Sequence, residues 1–262
     1  MKLSFTERLA RQVSLRIPLA RRTLALPRGV LSVTFDDFPK TAWTAGGAVL
    51  AEHGVKATYF ACGGLCGRSF DDQPIFDAAE LEAVHAAGHE IGCHTHDHLS
   101  GHRHAPADYA ASCERNRRFL EDRLPGLRLR SFAYPYGHAP LRHRGYISKR
   151  YAACRGVATQ RGRKLNGPAV DPSMLLAVGL TQDGLRHVDI GQLVAEAAAR
   201  RAWLVLFTHD VQDRPSAHGC TPLELDRAIR LAREAGLDIL PFGAVLPAPR
   251  AGHDARPDRS RG

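Results

Sequence analysis

The run VLSVTFDDFP, residues 30–39, is apolar until it ends in two adjacent aspartates, Asp36 and Asp37. Successive side chains of a strand point to opposite faces, so the two carboxylates cannot share one face. They repel each other, and burying either one without a partner is costly. Two carboxylates at the end of a strand therefore call for two different partners.

The surrounding chain says what kind of strand this is. Three segments repeat the order helix, glycine, strand: VLAEHGVKATYF (49–60), AVHAAGHEIGCH (83–94) and LAREAGLDILPF (231–242). Gly54, Gly88 and Gly236 stand where a helix C-terminus needs a left-handed residue. Asp77 and Glu80 form a capping box ahead of the helix that Gly88 ends. The pattern predicts strands near 30–35, 56–62, 89–94, 129–134, 153–158, 174–180, 203–208 and 237–241. Apolar strands alternating with helices imply a parallel sheet with helices outside. Seven or eight such units predict an α/β fold of the (β/α)7-8 barrel type. An open doubly wound sheet is the rival, but no G-x-G-x-x-G or P-loop follows any strand.

Functional groups of such folds collect at the C-terminal ends of strands. Asp36-Asp37 follows the first strand, His94-Thr95-His96-Asp97-His98 the third, Tyr134-Pro135-Tyr136-Gly137 the fourth, and His209-Asp210 the run WLVLFT. His94 and His98 are four residues apart, so a tight turn brings both imidazoles to one side. His96 competes with them, because alternate residues share a strand face. Two histidines plus one carboxylate, with positions left for water and substrate, suit zinc. One aspartate then binds the cation while its neighbour takes a proton from water, which the metal makes acidic.

Together these residues resemble the polysaccharide deacetylase, or NodB-homology, family. The matches are Thr34-Phe35-Asp36-Asp37, His94-Thr95-x-x-His98, Phe132-Ala133-Tyr134-Pro135-Tyr136-Gly137 and Leu206-Phe207-Thr208-His209. They lie in the family's order within residues 29–246. The third belongs to the branch with an FAYPYG motif. The resemblance implies a distorted barrel and metal-dependent removal of N-acyl groups from amino sugars. It makes Asp36 the general base and Asp37, His94 and His98 the ligands of a divalent metal. That metal is expected to be zinc, with Co2+, Ni2+, Mn2+ or Fe2+ as alternatives. His96 becomes a bystander and Thr95 a loop brace. The resemblance makes His209 the general acid and puts the Tyr136 backbone N–H, beside Pro135, at the oxyanion. Leu206 is expected to line the pocket for the acetyl methyl.

Two departures stand out. Many relatives carry a base-orienting arginine where this chain has Ala133, and Arg130 should point to the opposite strand face. The aspartate that usually tunes the acid histidine has no clear match. Asp183 and Asp189 are the candidates.

The chain has 262 residues, 44% hydrophobic and 24% charged, with a net charge of +9. That suits one core and an anionic partner, such as a phosphate-bearing substrate, an anionic lipid or nucleic acid; with the resemblance, the expected partner is a phosphate- or lipid-linked glycan. The arginines are dispersed and no nucleic-acid-binding motif accompanies them, so nucleic acid is not expected. Six scattered cysteines read as reduced thiols of a cytoplasmic protein, and the basic N-terminal segment would place it peripherally on the inner face of the membrane. Residues 1–28 read as a basic amphipathic segment. Ser4 and Glu7 cap it, Phe5, Leu9, Val13 and Ile17 form a stripe, and Pro18 stops it. Arg8, Arg11, Arg16, Arg21 and Arg22 interrupt its apolar runs, unlike a secretory signal. Residues 247–262 read as a disordered tail. Candidates for stacking on sugar rings are Trp43, Tyr59, Phe70, Tyr136 and Trp203. Two rivals remain: a carbohydrate-binding relative without turnover, and a hydrolase for an N-formyl sugar on a lipid carrier or for a cyclic ureide.

Overall fold

The computed structural model describes residues 4–158 and 162–246. The expected tail, 247–262, lies outside the described residues. Its helices are α1 (Phe5–Arg16), α2 (Lys40–Thr44), α3 (Gly46–Glu52), α4 (Ala78–Ala86), α5 (Pro106–Arg123), α6 (Leu141–Ile147), α7 (Gln182–Leu185), α8 (Ile190–Arg200) and α9 (Pro222–Glu234). Its strands are β1 (Arg22–Thr23), β2 (Val30–Asp36), β3 (Thr58–Ala61), β4 (Ser69–Phe70), β5 (Gln73–Pro74), β6 (Glu90–Cys93), β7 (Ser131–Ala133), β8 (Ala153–Arg155), β9 (Ala169–Val170), β10 (Val178–Gly179), β11 (Trp203–Thr208) and β12 (Asp238–Ile239).

Seven strands form a parallel sheet in the order β10-β11-β2-β3-β6-β7-β8, and β12 adds to the lower half of β2. Residues 172–177 run beside β8: the Cys154 amide donates to Pro172 O and the Gly156 amide to Leu175 O. These residues lead directly into β10 at the far edge, so the sheet curls into a distorted barrel. Each expected strand has a counterpart, and the barrel rather than the open sheet is the outcome.

Strand parity sorts the side chains. On β2, which is buried throughout, Leu31, Val33 and Phe35 pack outward against the helices. Val30, Ser32, Thr34 and Asp36 share the opposite, inner face. Phe60, Ala133, Ala153, Trp203 and Val205 form the inner cluster with Val30. The capping box of α4 is present, and Gly54, Gly88 and Gly236 have φ of 62°, 81° and 73°. Those glycines end helices as the sequence requires.

The N-terminal stretch lies along the outside of the barrel. Its capping box, Ser4 with Glu7, is formed. Strand β1 pairs antiparallel with β9. The fully buried Arg144 of α6 donates to the carbonyls of Ser14 and Ile17, to Ser173 Oγ, and to Asp171 Oδ2 at 2.6 Å. Asp171 also accepts the Leu19 amide. The polar side of α1 therefore faces the barrel through Ser14, whose hydroxyl donates to Ala139 O, and Arg11, which donates to Val157 O. Leu9, Val13 and Ile17 face outward.

Candidate active site

Asp36 is the last residue of β2 and points into the barrel. Asp37, immediately after it, has φ 61°, which turns the chain and aims its carboxylate elsewhere. The consecutive aspartates thus reach different partners.

Asp37 Oδ1 lies 3.2 Å from His98 Nε2 and 3.6 Å from His94 Nε2. The three donor atoms fall within 4.8 Å of one another, and all three residues are buried. His94 Nδ1 donates to the Ala133 carbonyl at 2.8 Å, which fixes the tautomer and leaves the Nε2 lone pair facing the carboxylate. Burial brings both imidazoles down to about 4, so they are neutral near pH 7. Burial raises the Asp37 carboxyl, against the opposing pull of His94 and His209. A neutral imidazole lone pair from His94, a second imidazole and a carboxylate converging on one buried point make a good cation site. A divalent ion fits these residues.

Thr95 and His98 hold positive φ, 60° and 49°, and Thr95 Oγ1 accepts the Leu99 amide at 3.1 Å, closing the loop between the two histidines. His96 turns away and stacks edge-on with Phe119 at 5.8 Å. Asp97 pairs with Arg115 and Ser112 on α5.

Asp36 has a partner that the sequence reading missed. Arg155 of β8, 1% exposed, donates through Nη2 to Asp36 Oδ1. Its guanidinium sits between the Phe60 and Phe207 rings, at 5.1 and 5.3 Å. Burial alone would raise the Asp36 carboxyl. The charge of Arg155, then those of His94 and His209, outweigh burial and hold it below the ordinary range. Ala133 and Arg155 are register partners on adjacent strands. The arginine absent at Ala133 is thus supplied one strand further along, beside the alanine. Arg130 is elsewhere, donating to Leu246 O. The available signal was one charged residue in the predicted strand 153–158.

His209 follows β11. Its Nδ1 donates to the His218 carbonyl at 3.1 Å, and Nε2 faces Asp37 Oδ2 at 3.7 Å. Neither of the expected tuning aspartates forms an ion pair with His209 among the described residues, where the facing carboxylate is that of Asp37. Asp189 caps α8 by accepting the Gln192 amide. Asp183 is in the first turn of α7, where its backbone amide donates to Ala217 O. Instead, the loop carrying His218 is organised by buried Asp210, which accepts from the Ser216 amide and hydroxyl.

A correction concerns Leu206. It packs outward in the layer between sheet and helices, whereas Phe207 has the inner parity and lies 6.2 Å from the His209 ring. An apolar run buried on both faces does not reveal its parity.

Tyr136 sits in a tight turn with φ 59°, between buried Pro135 and Gly137. Its hydroxyl lies 3.1 Å from His98 Nδ1, and the residue is 45% exposed. Gly137 has φ 65°, and a Cβ there would lie 2.8 Å from Val157 Cγ2, so only glycine fits. Phe70, from the β4–β5 hairpin, packs edge-on against His98 at 5.0 Å. A cavity of about 270 Å³ opens here, lined by Asp37, Phe70, Asp71, His209 and His218 among others. Of the expected stacking aromatics, Phe70 and Tyr136 flank this mouth. Tyr59 and Trp203 are fully buried, and Trp43 packs against His89.

The polysaccharide deacetylase family model matches residues 24–150, ending before Arg155 and His209. No curated protein sequence matches the chain. Among solved structures, the chitin deacetylase of the fungal pathogen Colletotrichum lindemuthianum superposes with a TM-score of 0.59 at 16% identity, over 87% of this chain and 92% of its own. A family 4 acetyl xylan esterase from Clostridium thermocellum, in complex with a cobalt ion, gives 0.55 at 20% identity over 82% and 89%. A CE4 family pseudoenzyme from Bacillus anthracis gives 0.56 at 14% identity over 85% and 67%. At these identities the matches establish the fold.

Proposed function

We propose that the chain is a polysaccharide deacetylase, with residues 29–246 as its catalytic domain, that hydrolyses the N-acetyl group of an amino sugar. The observation that carries this reading is the convergence of Asp37, His94 and His98 between Asp36, held by Arg155, and His209, held by the His218 carbonyl.

Asp37, His94 and His98 are the residues that would hold a divalent cation, zinc by donor preference, which supplies a Lewis acid at the amide carbonyl and at water. Asp36 accepts the proton of the attacking water. Arg155 keeps Asp36 ionised and aimed. The Tyr136 backbone N–H, presented by the Pro135–Gly137 turn, donates to the oxyanion. His209, protonated at Nε2, gives its proton to the departing amine while Nδ1 stays anchored on His218. Phe207 and Leu206 divide the role expected of Leu206 alone: Phe207 borders the acyl group and Leu206 supports the strand from behind.

The net charge of +9 supports an anionic, phosphate- or lipid-linked glycan, and six free thiols support a reducing, cytoplasmic setting. The test is release of acetate, with formate as the alternative product, from free, nucleotide-linked and lipid-linked N-acyl glycans. Wild-type protein should release one carboxylate per amine formed, and His209→Ala should retain metal while turnover falls. Glycan binding without carboxylate release from any of them would instead favour a carbohydrate-binding protein without turnover.

A further inference from the structure

Helix α1 is mounted with its polar side on the barrel and its apolar side on solvent. Leu9, Val13 and Ile17, with Leu19 just beyond, are 56%, 42%, 44% and 42% exposed and form one strip. An amphipathic helix that packs on its own domain normally buries its apolar face. Here Ser14 and Arg11 make the contacts to the barrel instead. Arg144 and Asp171 lock the turn after the helix, so the strip is held outward.

The charge around the strip is predominantly positive. Residues 1–28 contain seven Lys and Arg residues and one acid, Glu7, in a chain of net charge +9. Arg8, Arg16 and Arg21 are exposed and enter no ion pair among the described residues. Arg16 and Arg21 also border a cavity of about 710 Å³, the larger of the two described here, which Arg163 borders as well. An apolar strip edged by unpaired arginines suits the boundary between acyl chains and anionic headgroups. No helix among the described residues is long and apolar enough to cross a membrane.

We infer that α1 and the turn after it, residues 8–21, form a docking surface for an anionic phospholipid bilayer. Leu9, Val13, Ile17 and Leu19 enter the interface, and Arg8, Arg16 and Arg21 contact lipid phosphates. The position matters for function. Ser14 rests on Ala139 and Arg11 on Val157, the residue that packs against Gly137. The helix therefore borders the Tyr136 turn at the mouth of the site. Resting on the deacetylase reading, this names the substrate class as a glycan presented at a lipid surface.

The test is co-sedimentation of the full chain with vesicles of equal parts phosphatidylglycerol and phosphatidylcholine, with pure phosphatidylcholine vesicles alongside. Binding to the anionic vesicles is expected at low salt and should fade as ionic strength shortens the screening length. Leu9→Asp with Val13→Asp should lower bound protein by about tenfold or more, and Arg8→Glu with Arg16→Glu should abolish the preference for anionic lipid. These positions are exposed, so circular dichroism and carboxylate release from a soluble oligosaccharide should match wild type. Equal sedimentation of wild type and the double aspartate variant, or none by wild type, would overturn the inference. So would a lipid-free dimer, seen by sedimentation velocity, that the aspartates dissolve. Carboxylate release is scored separately, so vesicle binding stands or falls without the deacetylase reading.

Discussion

On the deacetylase reading Asp36 is the base, and a buried carboxylate serves as one only if something keeps it charged; at Asp36 that is Arg155. Removing one member of a buried pair leaves the other uncompensated, at a cost of about 3–5 kcal/mol. Arg155→Ala should therefore destabilise the fold and lower kcat by about 10²-fold or more while metal content is unchanged. The sign of the pH effect follows from the pair. Arg155 holds the Asp36 carboxyl below its ordinary range. Without that charge the carboxyl ionises at higher pH, so the acid limb of the kcat/KM profile should move up. Arg155→Lys should recover part of this shift, since charge is kept and the guanidinium geometry is not. An Arg155→Ala profile lying on that of wild type would remove the residue from the mechanism. Aspartates and histidines at strand ends were legible in the sequence because polar groups interrupt apolar runs there. Arg155 was not, because its neighbour across the sheet depends on register, which long-range packing sets. The His218 carbonyl was invisible for another reason: any residue would supply one. Asp183 and Asp189 were sought because a side chain was expected where the backbone serves.

Among the elements, α1 shows how a correct local reading can miss its orientation. The capping box, the four-residue spacing and the stop at Pro18 give the helix and its limits, and the structure has it at Phe5–Arg16. Which face meets the barrel depends on Arg144, more than a hundred residues away in sequence. Its guanidinium is buried and satisfied by two carbonyls, Ser173 and Asp171. Arg144→Ala should cost about 3–5 kcal/mol and speed hydrogen exchange across residues 5–23 before the barrel strands respond. Uniform loss of protection through the whole sheet would mean that the N-terminal stretch and the barrel unfold as one unit. The strand β11 gives the converse lesson. Its existence was plain from WLVLFT, yet the inward side chain is Phe207 and not Leu206, because both faces of that run are apolar.

For the whole molecule, buried histidines outside the Asp37–His94–His98 cluster, His89, His138 and His143 foremost, contribute to the response to acid. Burial lowers His89, His138 and His143 from the ordinary 6.5 to about 4. His89 Nδ1 accepts the Ala57 amide, which requires the neutral ring. Between those two values the unfolded chain binds more protons than the folded one. The stability contributed by these three neutral rings is therefore fully present above 6.5 and is lost as pH falls through the window towards 4. Thermal unfolding should show a midpoint that drops over this range, and His89→Asn should flatten the drop. An unchanged slope in that variant would assign the acid response to other groups. The barrel was the most legible feature of the molecule, since helix, glycine and strand recur at regular spacing and the glycines have the φ they were expected to have. The central claim, that Asp36 takes the proton of water beside a cation held by Asp37, His94 and His98, is tested most directly by one comparison. The rate of acetate release from an N-acetylated chitooligosaccharide is measured for wild type and Asp36→Asn at equal bound metal. A fall of about 10²–10⁴-fold is predicted, and equal rates, or loss of the metal in Asp36→Asn, would contradict it.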